Sequence, residues 1–269
     1  MRKAVLVCVF AVLLAPTWFL FVGSLQDIFG VFVMPPKLLP THPTLANFAW
    51  VFSLPLLRWA VNTVVVAAVT VVGAVAVTTS TAYVFAFYRW RGKAVMWVLL
   101  LAGLMVPRMS LIVPTFVVMR RIGVAGTLVA AALPLMYSPS GAYIARAYFE
   151  SIPESVMEAA RIDGAGEWRI LRSVVAPISR PIVATIALFS GMGALGDYLW
   201  QMLQLQRDEL RTMLVGLIQE TMRRGGAELS VNPIGRSFAA AVVLMLPMLV
   251  IFLSTSRFFV SALGSAVKE

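Results

Sequence analysis

From Trp59 to Tyr88 the chain runs for thirty residues without an Asp, Glu, Lys, Arg or His. A run that long and continuous reads as a transmembrane helix. It does not alternate apolar and polar residues, so a transmembrane β-strand is not expected. Five further apolar blocks share this character, giving spans at about 4–22, 59–88, 94–119, 127–148, 179–203 and 237–259. The expected fold class is an all-α membrane protein of six transmembrane helices in a single transmembrane domain over 1–269.

Composition agrees. Of 269 residues 60% are hydrophobic and 13% charged, against about 25% charged in a soluble domain. The net charge of +10 fits the excess of Lys and Arg at membrane faces rather than nucleic-acid binding. Cys8 is the single cysteine and His42 the single histidine, so no intrachain disulfide and no metal site are expected. No catalytic triad and no GxxxxGK[ST] phosphate loop is present, so ATP hydrolysis by that route is excluded on this chain. Arg2 and Lys3 precede an apolar run too long for a signal peptide, which reads as a retained first span. These cations favour a cytoplasmic N-terminus, and six spans return the C-terminus to the same side.

The prolines punctuate. Five of them between Gly23 and Leu57 forbid a long helix there. Pro107 and Pro114 break span three, a break tolerated where freed backbone groups face protein or a water-filled cavity. The segment 204–236, with nine charges of both signs, reads as an external loop, either simply solvated or a docking surface for another protein.

Between spans four and five lies the longest polar, helix-forming stretch, about 150–177. Ser151 and Glu154 have the spacing of a capping box, with Pro153 in the first turn. The helix should run to about Ile162 and break at Gly164 and Gly166. A second helix, Glu167 to Val175, should lead to Pro177. Glu158, Ala159 and Ala160 then sit on a short helix at the membrane surface, two alanines giving a smooth face for another protein's groove.

Glu158-Ala159-Ala160, three residues, Gly164, nine residues, then Val174-Val175-Ala176-Pro177 resembles the EAA motif of ABC-transporter permeases, EAA-x3-G-x9-I-x-L-P. Val174 and Ala176 replace the usual Ile and Leu. DGAGEWRILRSVVAPISRP, MVPRMSLIVP and RFFVSALGSAVKE are similar to the carbohydrate-uptake branch, and the six spans resemble the maltose-transporter-type second permease subunit. The resemblance implies a type I importer fold in the cytoplasmic (inner) membrane of a bacterium or archaeon. It implies a sugar or polyol as solute, and as partners a different permease chain, two ATPase subunits and an extracytoplasmic binding protein. ATP and Mg would belong to the ATPase subunits, leaving this chain without a cofactor and non-catalytic. Glu158, Ala159, Ala160, Asp163 and Gly164 would couple to the ATPases, with Lys268 and Glu269 as further contacts.

Two charges lie inside spans. Arg108 and Asp197 fall at depths within about two turns of each other, and intramembrane charges usually pair or line a pathway. Gly191, Met192, Asp197 and Tyr198 are the further pathway candidates. Trp200 reads as a membrane anchor. Span five departs from the branch's WN(D/E)-aromatic-L-W-P pattern, lacking the first Trp, the Asn and the Pro. A glycerol-phosphate-type or other anionic solute is the alternative cargo, which Arg108 would accommodate. A secondary carrier or a membrane scaffold are the competing classes. The first lacks an evident internal repeat, and the broken spans and lever-like hairpin argue against the second.

Overall fold

The computed structural model describes residues 2–27, 38–225 and 232–266. In chain order the helices are α1 (Arg2–Ser24), α2 (Ala46–Phe52), α3 (Leu56–Phe87), α4 (Lys93–Ala102), α5 (Ile112–Arg121), α6 (Leu128–Ala132), α7 (Pro139–Glu150) and α8 (Glu154–Ile162). They continue with α9 (Glu167–Ile178), α10 (Arg180–Gly196), α11 (Tyr198–Gln204), α12 (Met213–Gly225) and α13 (Pro233–Ala266). Among the described residues there is one isolated β-bridge, Gln26 with Pro43, and no strand.

The expected spans overlap helices, but few of them are unbroken. Leu56–Phe87 and Pro233–Val250 are unbroken and apolar enough to cross a bilayer. The fourth expected span is a pair, Leu128–Leu135 and Pro139–Glu150, bent by 50°. Pro134 and Pro139 flank that bend, and each removes a backbone donor. The third is interrupted between Ala102 and a 3₁₀ turn at Arg108–Leu111, with Pro107 extended at ψ 126°. The fifth is α10, bent 90° from α9 at Ser179 and broken again at Asp197, whose ψ is 88°.

The chain packs as two compact units. One holds Met1–Asn62 and Arg211–Ile251. Its core joins Trp50, Val51, Trp59, Met213, Leu217, Ala239 and Val243. Gly216 lies flat against the Trp59 ring, where a Cβ would come within 2.5 Å of Cδ2. Asn47 Nδ2 donates to Ser24 O at 2.9 Å and Gln26 O at 2.8 Å, and Asn232 Nδ2 donates to Gln26 O at 2.9 Å. These bonds satisfy backbone groups that proline-rich chain leaves open. Part of the stretch expected as a loop at 204–236 is thus helix α12. Its Met213, Val215 and Leu217 are buried, and apolar burial, not charge content, decides its structure.

The other unit is Thr63–Leu210 with Phe252–Glu269. Its largest core gathers Ala82 and Tyr83 of α3, Ala145 and Phe149 of α7, Met157 of α8, and Ile170, Leu171 and Val175 of α9, with Ile182 and Ile186 of α10. Full burial of Phe149, Met157 and Ile170 contributes roughly 1.5–3 kcal/mol each. The hairpin α8–α9 is therefore rooted in the unit's own core. Lys268 and Glu269, expected as tail contacts, lie outside the described residues.

Candidate functional site: a surface hairpin and a proline-lined cavity

Helix α8 ends at Ile162, as its sequence requires. Gly164 stands at φ +76°. Its N–H donates to Arg161 O and that of Ala165 donates to Ala160 O, both at 3.0 Å, the paired bonds of a Schellman turn. A Cβ on Gly164 would meet nothing within 4 Å, so the requirement for glycine is conformational, not steric. The start of α8 differs from expectation. Ser151 Oγ donates to Tyr148 O at 2.6 Å and closes α7, so no capping box forms. The N-cap position is Pro153, without a side-chain cap. Helix α9 continues past Pro177 to Ile178 through a π-turn at Leu171–Val175.

Helix α8 is two-faced. Met157 is fully buried and Ala160 packs against the same core. Glu158, Ala159 and Asp163 face out. The two alanines therefore divide: Ala159 is on the surface and Ala160 serves the hairpin's footing. Two apolar side chains join the outer surface, Ile162 at 85% and Trp168 at 65% exposure. Sequence reasoning missed both. The signal for Ile162 was available, because it stands four residues from Glu158 and so shares its face.

Glu167 ties the hairpin together. It accepts from Tyr83 Oη at 2.5 Å and from Arg161 Nε at 3.1 Å. One carboxylate thus bridges α8, α9 and the end of α3. The Tyr83 bond, with help from Arg161, holds the Glu167 carboxyl down at about 2.

A second feature of this unit is a cavity of about 930 Å³. Its walls are the irregular segments: Val106, Arg108 and Thr115 around the break in span three, Tyr137, Ser138 and Ser140 at the bend between α6 and α7, and one face of α10. Non-helical backbone at membrane depth is tolerated where it lines such a space. That face of α10 carries Ile182, Thr185, Ile186, Phe189, Ser190, Gly193 and Asp197, the recurrence of a helical stripe. Arg108 and Asp197 meet, Nη2 to Oδ2 at 3.0 Å, with side chains 68% and 12% exposed. Asp197 Oδ1 also accepts from Trp200 N at 3.2 Å, capping α11. Gly191, Met192 and Tyr198 do not line the cavity. Gly191 is buried, where an added Cβ would stand 3.3 Å from Val71 Cγ2. Trp200 is not an interfacial anchor: it is 4% exposed and its Nε1 donates to Ala130 O at 3.0 Å.

Residues 78–263, which include the hairpin, match the family described as binding-protein-dependent transport system inner membrane component. The chain belongs to this family. Among its curated relatives is the galactooligosaccharides transport system permease protein GanQ of Bacillus subtilis (strain 168), 30% identical over 87% of this chain and 83% of that one. Another is the arabinooligosaccharides permease protein AraQ of Halalkalibacterium halodurans, 28% identical over 83% of this chain and 79% of that one. The sn-glycerol-3-phosphate permease protein UgpE of Brucella suis biovar 1 is 27% identical over 94% and 91%. A chain of a bacterial ABC transporter involved in the import of the acidic polysaccharide alginate superposes with a TM-score of 0.82 at 24% identity, over 96% of this chain and 95% of that one. The fold is thus that of an ABC-importer permease, and inner-membrane components of this kind are transport subunits. The EAA resemblance rests on a segment that the family match contains.

Proposed function

We propose that this chain is a permease subunit of a binding-protein-dependent ABC importer for a sugar or related polyol, coupled through the α8–α9 hairpin to separate ATPase subunits. The observation that carries the reading is the hairpin's division of faces. Met157 and Ala160 anchor it inward, while Glu158, Ala159, Ile162 and Trp168 form an outward surface of mixed charge and apolar contact. A rigid projection with such a surface transmits displacement, and Glu167 stiffens it from three sides. Asp163 and Gly164 shape the turn at its tip. The partners are a second, different permease chain, two ATPase subunits holding ATP and Mg, and an extracytoplasmic binding protein. Both termini and the hairpin lie on the cytoplasmic side. The oligosaccharide permeases among the relatives support the sugar. The sn-glycerol-3-phosphate relatives and the exposed Arg108 support an anion as the second reading.

The test is ATPase activity of the assembled complex in lipid nanodiscs, with binding protein and a sugar panel, for the native chain and for Glu158→Lys combined with Gly164→Pro. Sugar stimulation should fall by about tenfold or more in the variant, a coupling loss in the range typical of linked sites, while the complex still assembles. Stimulation that persists unchanged removes the hairpin from the coupling route. A complex that recruits no ATPase removes the importer reading altogether.

A further inference from the structure

The cavity described above carries two charges, and they cancel. Asp197 commits one carboxylate oxygen to the α11 N-cap and the other to Arg108. Its position is fixed by the fold, and it fixes Arg108 in turn. The guanidinium has five N–H donors. Only Nη2 is engaged among the described residues, and 68% of the side chain is exposed. Tyr137 lines the same space, and its hydroxyl, closed off behind the cavity wall, has no hydrogen-bond partner among the described residues, so a solute reaches it where that wall shifts. A buried hydroxyl left unsatisfied is costly, and a ligand that accepts from it or donates to it relieves that cost. Phe189, on the cavity face of α10, offers an apolar ring that is 64% exposed. At Gly193 an added Cβ would meet nothing within 4 Å, so the helix there borders open space.

We propose that this cavity binds the transported solute, and that the Arg108–Asp197 dyad selects uncharged, hydroxyl-rich solutes over phosphorylated ones. The inference rests on the importer reading given above and decides between its two cargoes. A sugar hydroxyl can accept from the unused guanidinium donors, donate to a remaining carboxylate lone pair, and add no charge. The Tyr137 hydroxyl supplies a further polar contact, and Phe189 a surface for the apolar face of a ring. A phosphate dianion meets a guanidinium already neutralised by a carboxylate. It would bring two negative charges against the Asp197 carboxylate and leave the dyad with a net charge of about −2, a repulsion that an uncharged hydroxyl does not meet.

The experiment is equilibrium binding of radiolabelled lactose, galactotriose, arabinotriose and sn-glycerol 3-phosphate to the assembled complex in nanodiscs, without binding protein. The tightest probe should be uncharged, with sn-glycerol 3-phosphate weaker by about tenfold or more, the scale of one unpaired buried polar group. Arg108→Gln should weaken the tightest probe by about tenfold, and Tyr137→Phe by about threefold, the scale of single hydrogen bonds. Gly193→Leu, which projects a bulky side chain into the cavity beside Asp197, should weaken its binding by about tenfold or more. Asp197→Asn retains a good N-cap but leaves Arg108 unneutralised, so the preference against sn-glycerol 3-phosphate should shrink or reverse. The proposal is overturned if sn-glycerol 3-phosphate binds the native complex most tightly. It is also overturned if no probe binds, or if Arg108→Gln and Gly193→Leu both leave binding unchanged. Co-purification of an ATPase, scored in the same preparations, reports separately on the importer reading. Should it fail, the probe pattern is scored on the permease chain alone.

Discussion

Glu167 shows how much one side chain contributes when three elements meet on it. Its carboxyl, ordinarily near 4.5, is held at about 2 by Tyr83 and Arg161. The depressed value sets the sign: the stabilisation is fully present above about pH 4.5 and is lost as pH falls through about 2. Hairpin hydrogen exchange in detergent should therefore be faster in Glu167→Gln than in the native chain at pH 7. The difference should close as pH is lowered through that window. Tyr83→Phe removes the largest cause and should move the native transition upward in pH. At Gly164 the cost is backbone strain. Gly164→Ala should destabilise the chain by about 1 kcal/mol, because φ +76° disfavours any side chain, read as a lowered thermal midpoint. Such residues differ in how plainly sequence declares them. Gly164 was legible because a helix stop is local. Arg108 and Asp197 were legible because a charge inside hydrocarbon is conspicuous. Tyr137 was not, since hydroxyls are common in apolar segments and the fold decides which of them are buried without a partner.

At the scale of elements, the α8–α9 hairpin is held more by what lies beneath it than by its own helices. A nine-residue helix is marginal alone. Met157→Ala should therefore cost about 2–5 kcal/mol as a buried truncation, and proteolysis should then open the hairpin before the rest of the unit. The extent of α8 followed from local rules. Its first residue did not: Ser151 could serve either helix, and the end of α7 claims it. The cavity face of α10 was not legible in the sequence, for a related reason. A helix that is apolar all round has no sequence phase, and glycines mark close packing as readily as open space. Gly191 turned out to do the first and Gly193 the second.

For the molecule as a whole, six apolar blocks were enough to predict a multi-pass helical chain. Their count does not tell which blocks stay straight, because bending is decided where prolines meet a cavity. The orientation predicted from Arg2 and Lys3 can be measured directly. In a Cys8→Ser background, Trp168→Cys should react with a membrane-impermeant maleimide in inside-out vesicles and not in right-side-out ones. Helix α3 adds a constraint of another kind. Its 32 residues make a rod of about 48 Å, which at an average tilt still overshoots a hydrocarbon layer of about 30 Å by some three turns. Tyr83 lies near the end of that rod and bonds the hairpin there, a joint that the proposed orientation places among cytoplasmic headgroups and not in oil. On that proposed orientation, the thickness and headgroup chemistry of the host lipid become settings on the joint: short-chain lipids would push it toward water and long-chain lipids would draw it inward.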